Sequence, residues 1–183
     1  MRLSLVIGAL VLVFFAACTS SAPMQSMDHH MDAHAGHEGH AHGVASEEEF
    51  VVEMIPHHQE AVDTSLLVLE STQNEELAAL AQEIIDAQQQ EIAMMRGWLD
   101  EYYNGGFAPS YQPMMGDLES LSGEARDVAY IRGMIEHHMG AVMMARSVLE
   151  LDPSSHVEEF ANEVIEAQTT EIQQLERLLA DYQ

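Results

Sequence analysis

From Phe50 onward, apolar residues return every three or four positions, the period of a helix buried along one side. Val51, Ile55, Val62 and Leu69 form one such stripe, and Leu77, Ala81, Ile84, Met95 and Trp98 form the next. Ile131, Ile135, Val142 and Leu149 make a third, and Val157, Ala161, Val164, Leu175 and Leu178 a fourth. The pattern predicts an all-α fold with helices over 47–71, 75–103, 123–151 and 155–182. No stretch alternates polar and apolar residues as a half-buried strand would. Ser46 followed by Glu49 fits a capping box, and Ser122 ahead of Glu124 predicts the start of the third helix. The breaks "STQN" and "LDPSS" are short enough to join antiparallel neighbours. "NGGFAPSYQPMMGDLESLSG", residues 104–123, has the Gly and Pro punctuation of a long connection.

The four stripes are two copies of one pattern. Sliding Met54–Tyr102 by 80 positions onto Met134–Tyr182 needs no gap, and roughly 18 of 49 positions coincide. The shared residues concentrate in "MIxHHxxAV" of the first helix and "ExIxAQxxEI" of the second. A duplicated helical hairpin, 46–103 and 122–183, predicts an antiparallel four-helix bundle over 46–183, with matched positions meeting near a pseudo-two-fold axis.

Polar residues interrupt the stripes at the same height in both copies. Gln88 and Glu91 stand in the second stripe, Gln168 and Glu171 in the fourth, His58 in the first and His138 in the third. His57 and His137 lie about 100° further round, each one turn after Met54 and Met134. A buried carboxylate must be paired, protonated or bound to a metal. Any one of these histidines or methionines alone reads as ordinary core filling. Their repetition in register points to metal, with Gln88, Glu91, Gln168 and Glu171 as ligands or supports of the histidines. Di-iron bundles use Glu-x-x-His, but here the carboxylate is replaced by the thioethers of Met54 and Met134. Thioether with imidazole suits Cu(I), and also Ag(I), better than iron, zinc or magnesium. Met144 falls on the face of Met134 and His137, with Met143 nearer the core side. Asp63 and Thr64 stand where the second copy has Met143 and Met144, so two equal sites are not implied. Pro56 predicts a kink beside His57.

Composition narrows the chemistry further. The chain has 183 residues, 47% of them hydrophobic, enough for one domain with a real core. Lys and Arg total 6 against 31 Asp and Glu, a net charge of -25. That balance repels nucleic acid and anionic membrane surfaces and favours cations. Arg2 and the apolar run "LSLVIGALVLVFFAA" read as an export signal, 1–17. "FAAC" resembles a lipobox, cut before Cys18, which would then be lipidated; the alternative is a cut near "SAPM". Either places the mature protein in the periplasm or at the cell surface, and the lipobox reading has it touch the membrane only through the lipid on Cys18. Residues 18–45 carry Met24, Met27, His29, His30, Met31, His34, His37, His40 and His42 among small polar residues. Such a tract cannot bury enough surface to order itself, and its histidines read as a metal-capturing tail.

With those residues in view, the paired "MIxHHxxAVxMA" and "ExxxAQxxEI" segments resemble the bacterial domain of unknown function 305. The resemblance covers about Ser46 to Tyr182. It implies a ferritin-like four-helix domain associated with copper binding and tolerance, with Met54, His57, His58, Met134, His137 and His138 as ligands and Met143 and Met144 as auxiliaries. The leading function is therefore sequestration of Cu(I), or its delivery to a copper-transfer partner. The alternatives are a metal oxidase using a His/Glu centre, and an interaction module whose polar core fixes helix register. A homo-oligomer sharing a site stays open. No nucleophile triad or phosphate-binding glycine loop is present.

Overall fold

The computed structural model describes residues 43–103 and 107–182. The signal segment 1–17, Cys18, and the tail's Met24, Met27, His29, His30, Met31, His34, His37, His40 and His42 lie outside the described residues. Four helices and no strand are found among the described residues: α1 (Glu47–Leu69), α2 (Glu75–Tyr102), α3 (Glu124–Leu149) and α4 (Ser155–Ala180). No described helix is long and apolar enough to cross a membrane.

Local chemistry accounts for where the helices start. Ser46 caps α1 by accepting from the Glu49 amide at 3.1 Å, while the Glu49 carboxylate reaches back to the Ala45 amide at 2.6 Å. Asn74 caps α2 by accepting from the amides of Glu76 and Leu77, both at 3.0 Å. The expectation for α3 is corrected: Gly123, not Ser122, occupies the cap, at φ 56° and with no side-chain hydrogen bond. Glycine takes that backbone conformation without the Cβ penalty, which a serine there would pay. Pro56 sits inside α1, and the helix continues on both sides of it.

The hairpins α1–α2 and α3–α4 each pair closely, α1 rests against α3, and α2 and α4 barely meet. Two large apolar clusters, with a small one of Val62, Ile85 and Ile92, fill the interior among the described residues. One gathers Ala61, Ile84, Tyr130, Met134 and Leu175; the other gathers Phe50, Met54, Met95, Ala141, Met144, Phe160 and Val164. On every helix the chain passes from one cluster to the other across a polar step: His57–His58 on α1, Gln88 on α2, His137–His138 on α3 and Gln168 on α4. The bundle is an apolar core with a polar layer across its waist.

The connection after α2 is a strap docked on the bundle. Met115 and Leu118 are buried in the first cluster. The strap runs so close to α3 that a Cβ on Gly133 would meet the Met115 sulfur at 3.2 Å. Arg126, buried at the start of α3, donates to the carbonyls of Leu118, Leu121 and Leu67, tying strap and the end of α1 together.

Candidate metal centre

The duplicated His-His pairs converge. All four imidazoles are essentially inaccessible, and the His57 and His137 rings stack with centroids 3.7 Å apart at 36°. That contact places the repeat's pseudo-axis between α1 and α3. His58 and His138 lie outward on either side, each met by the glutamate of its own hairpin. His58 Nε2 lies 2.7 Å from Glu91 Oε2, and His138 Nε2 lies 2.6 Å from Glu171 Oε2. These contacts are short, but the nitrogens make no aligned hydrogen bond. Both glutamates keep part of their side chains in solvent, so they flank the core rather than sit inside it.

One carboxylate not anticipated from the sequence joins the layer. Glu60 lies 3.5 Å from His137 Nε2 and accepts from the amides of Met114 (2.9 Å) and Met115 (3.0 Å) and from the Tyr111 hydroxyl. The Tyr111 ring packs edge-on to His57 at 5.4 Å. Burial alone would raise the Glu60 pKa, but contact with His137, Tyr111 and the two amides reverses this and brings it down to about 2. Burial pushes His137 down to about 4 against the opposing pull of Glu60, so the imidazole is neutral at pH 7. Burial and the neighbouring Glu60 charge push the Tyr111 phenol up. Glu60 thus fastens the strap over the stacked pair, and beside it Glu53 accepts from the Ser110 amide and hydroxyl. In the second copy Gly140 occupies the matching position, so the repeat gave no signal for Glu60.

The other predicted residues divide clearly. Met54, Met134 and Met144 are buried, as are Gln88 and Gln168. The expected core-side placement of Met143 is corrected: it is 43% exposed, on the outer side of α3, while Met144 beside it is buried. Met95, from the second helix, joins Met54 and Met144 in one cluster, and the strap's Met115 joins Met134 in the other.

The layer is rich in unsatisfied polar atoms. Nδ1 of His58, His137 and His138, both amide atoms of Gln88, and Oε1 of Gln168 are buried without a hydrogen-bond partner. An orphaned buried polar atom costs about 1–3 kcal/mol, and a coordinated cation relieves that cost where the orphan is a lone pair. The donor set therefore fits a metal ion. Among the described residues, however, no three His, Cys, Asp or Glu side chains close on one point. An ion here would need sulfur to complete its shell, and the methionines border the imidazoles on both sides.

The sequence profile of the family described as "Domain of unknown function (DUF305)" matches residues 47–179. Among solved structures, CopM in the Cu(I)-bound form is 29% identical, with 75% of this chain and 97% of that one covered and a TM-score of 0.68. CopM in the Ag-bound form is 28% identical, with 74% and 96% covered and a TM-score of 0.65. A DUF305 protein from Streptomyces coelicolor is 31% identical, with 74% and 91% covered and a TM-score of 0.65. No protein of curated function matches the chain.

Proposed function

The chain belongs to the DUF305 family, and on that premise we propose that it is an exported copper-binding protein that sequesters Cu(I) or hands it on. The observation that carries this reading is the waist layer: four buried imidazoles, three of them (His58, His137 and His138) with Nδ1 making no hydrogen bond, bordered on both sides by buried thioethers. Imidazole and thioether together select a soft monovalent ion. The likeness to CopM, solved with Cu(I), Cu(II) and Ag bound, supports copper and silver as cargo. His57, His58, His137 and His138 would supply nitrogen, and Met54, Met134 and Met144 sulfur. Glu60, Glu91 and Glu171 would orient imidazoles from behind. The His-rich tail would capture ions and the bundle hold them, with Cys18 as the lipid anchor at the outer face of a membrane.

Anaerobic Cu(I) titration against a competing chelator tests the reading. The chain with His57, His58, His137 and His138 changed to Ala removes the nitrogens, and Met54→Leu/Met134→Leu removes sulfur while keeping volume. Loss of tight binding in both, with the Leu variant still folded, supports copper handling by the bundle. Unchanged binding in both would move any metal role to the tail. Oxygen consumption with Fe(II) or Cu(I) separates binding from oxidation: turnover would make the protein a metal oxidase instead.

A further inference from the structure

The buried layer must be reached from outside, and its two faces differ. On the α1–α3 side the strap lies across it, with Tyr111 against His57 and Glu60 bound to the strap amides. On the other side, where α2 and α4 barely meet, a cleft of about 490 Å³ is lined by Glu83 of α2 and by Glu163, Glu166, Ala167, Thr170, Glu171 and Gln174 of α4. Four of those seven side chains are carboxylates, and no basic residue lines the cleft. Glu83 and Glu163, which both line it, are matched positions of the repeat, 80 apart.

A cluster of acids on so acidic a protein would by itself mean little. What distinguishes this one is its floor. Glu171 is part exposed in the cleft while its Oε2 is buried 2.6 Å from His138 Nε2. His138 is wholly buried, and neither of its ring nitrogens makes an aligned hydrogen bond. The carboxylate is therefore the point where the solvated cleft meets the sealed imidazole layer.

We propose that the α2–α4 cleft is the entrance for the metal ion, with Glu83, Glu163 and Glu166 drawing cations in and Glu171 passing them to His138. This rests on the copper-binding reading and adds the route to it. Oxygen ligands hold a soft ion weakly, so the funnel raises its local concentration without trapping it, and imidazole and thioether take it over. The same field is screened by salt.

The test is kinetic. Full-length chains, all with the tail histidines changed to Ser, compete with a fast fluorescent Ag(I) indicator for a limiting pulse of silver nitrate in a stopped-flow mixer. Glu83→Gln/Glu163→Gln/Glu166→Gln should lower the share captured on first mixing about fivefold at low ionic strength. Its equilibrium Ag(I) affinity should stay within about twofold, and the difference in capture should vanish at high nitrate. A control with Asp100, Glu136 and Glu150, all exposed, changed to their amides removes the same charge elsewhere. Capture reduced no more in the cleft variant than in this control would overturn the entrance. Absence of Ag(I) binding at equilibrium in the unsubstituted bundle would instead bring down the metal reading, and the entrance with it.

Discussion

The two ends of the histidine layer come from one duplicated sequence, yet they are not equivalent. Toward the start of α1, the layer borders Met54, Met95 and Met144, thioethers from three different helices. Toward the start of α3 it borders Met134, with Met115 supplied by the strap rather than by a helix. The divergence lies at positions matched across the repeat: Thr64 stands where the other copy has Met144, and Leu175 stands in place of Met95. Thr64 spends its hydroxyl on the carbonyls of Glu60 and Ala61, so it has turned back onto its own helix. The duplication preserved the imidazoles and let the sulfur set drift. Under the proposed copper-binding function, that divergence predicts two soft-ion sites of unequal strength.

Removing one thioether from each end breaks the comparison most sharply. Met134→Leu leaves its end without a helix-borne sulfur and should lower Cu(I) affinity there by about 100-fold or more, beyond the effect typical of a ligand's supporting residue. Met54→Leu leaves Met95 and Met144 in place and should cost only about tenfold. A chelator titration resolving two binding classes checks this; equal losses would show that the two ends act as one site.

The strap is the second asymmetry, because Glu60 has no counterpart beside His57. Glu60→Gln weakens charge-assisted hydrogen bonds from two amides and Tyr111, and should destabilise the protein by about 3 kcal/mol, read as a lower urea midpoint at constant slope. It should also weaken the Met134 end selectively, since Met115 is carried on the strap.

Acid sharpens the same contrast. His137 is held neutral in the fold down to about pH 4, whereas an unfolded chain protonates it near its ordinary value of 6.5. The unfolded state then binds the extra proton, so this contribution is complete above pH 6.5 and lost as pH falls toward 4. The metal-free protein should lose about 2 kcal/mol between pH 7 and pH 5, measured by denaturant unfolding. Glu60 has the opposite origin: its pKa is depressed from 4.5 to about 2, so its stabilisation is lost only in that lower window.

The smallest expected effects contrast two helix starts. Ser46→Ala removes the cap of α1 and should cost about 1 kcal/mol. Ser122→Ala, ahead of a helix capped by Gly123 with no side-chain bond, should change stability by less than about 0.5 kcal/mol.

Period and repetition explain why so much of the bundle was legible beforehand. Val51, Ile84, Ile131 and Val164 all reach the core, because a three-four spacing has one buried side to use. His57, His58, His137 and His138 were found because each pair occurred twice, in register. Glu60 and Tyr111 escaped for the complementary reason: Glu60 matches Gly140, and Tyr111 belongs to a connection with no second copy. Met143 misled because the sequence shows that methionine is abundant on α3, whereas which of two adjacent methionines faces inward depends on the helix's rotation against α1. Ser122 misled because a preferred capping residue stood beside a glycine that the backbone's positive φ required.

The most direct test of the central claim is copper K-edge X-ray absorption on the Cu(I)-loaded chain with its tail histidines changed to Ser, compared with the same chain carrying Met54→Leu/Met134→Leu. A soft-ion centre in the waist layer predicts mixed nitrogen and sulfur ligation, with the sulfur share falling in the Leu variant. Nitrogen and oxygen ligation alone, identical in both chains, would contradict it.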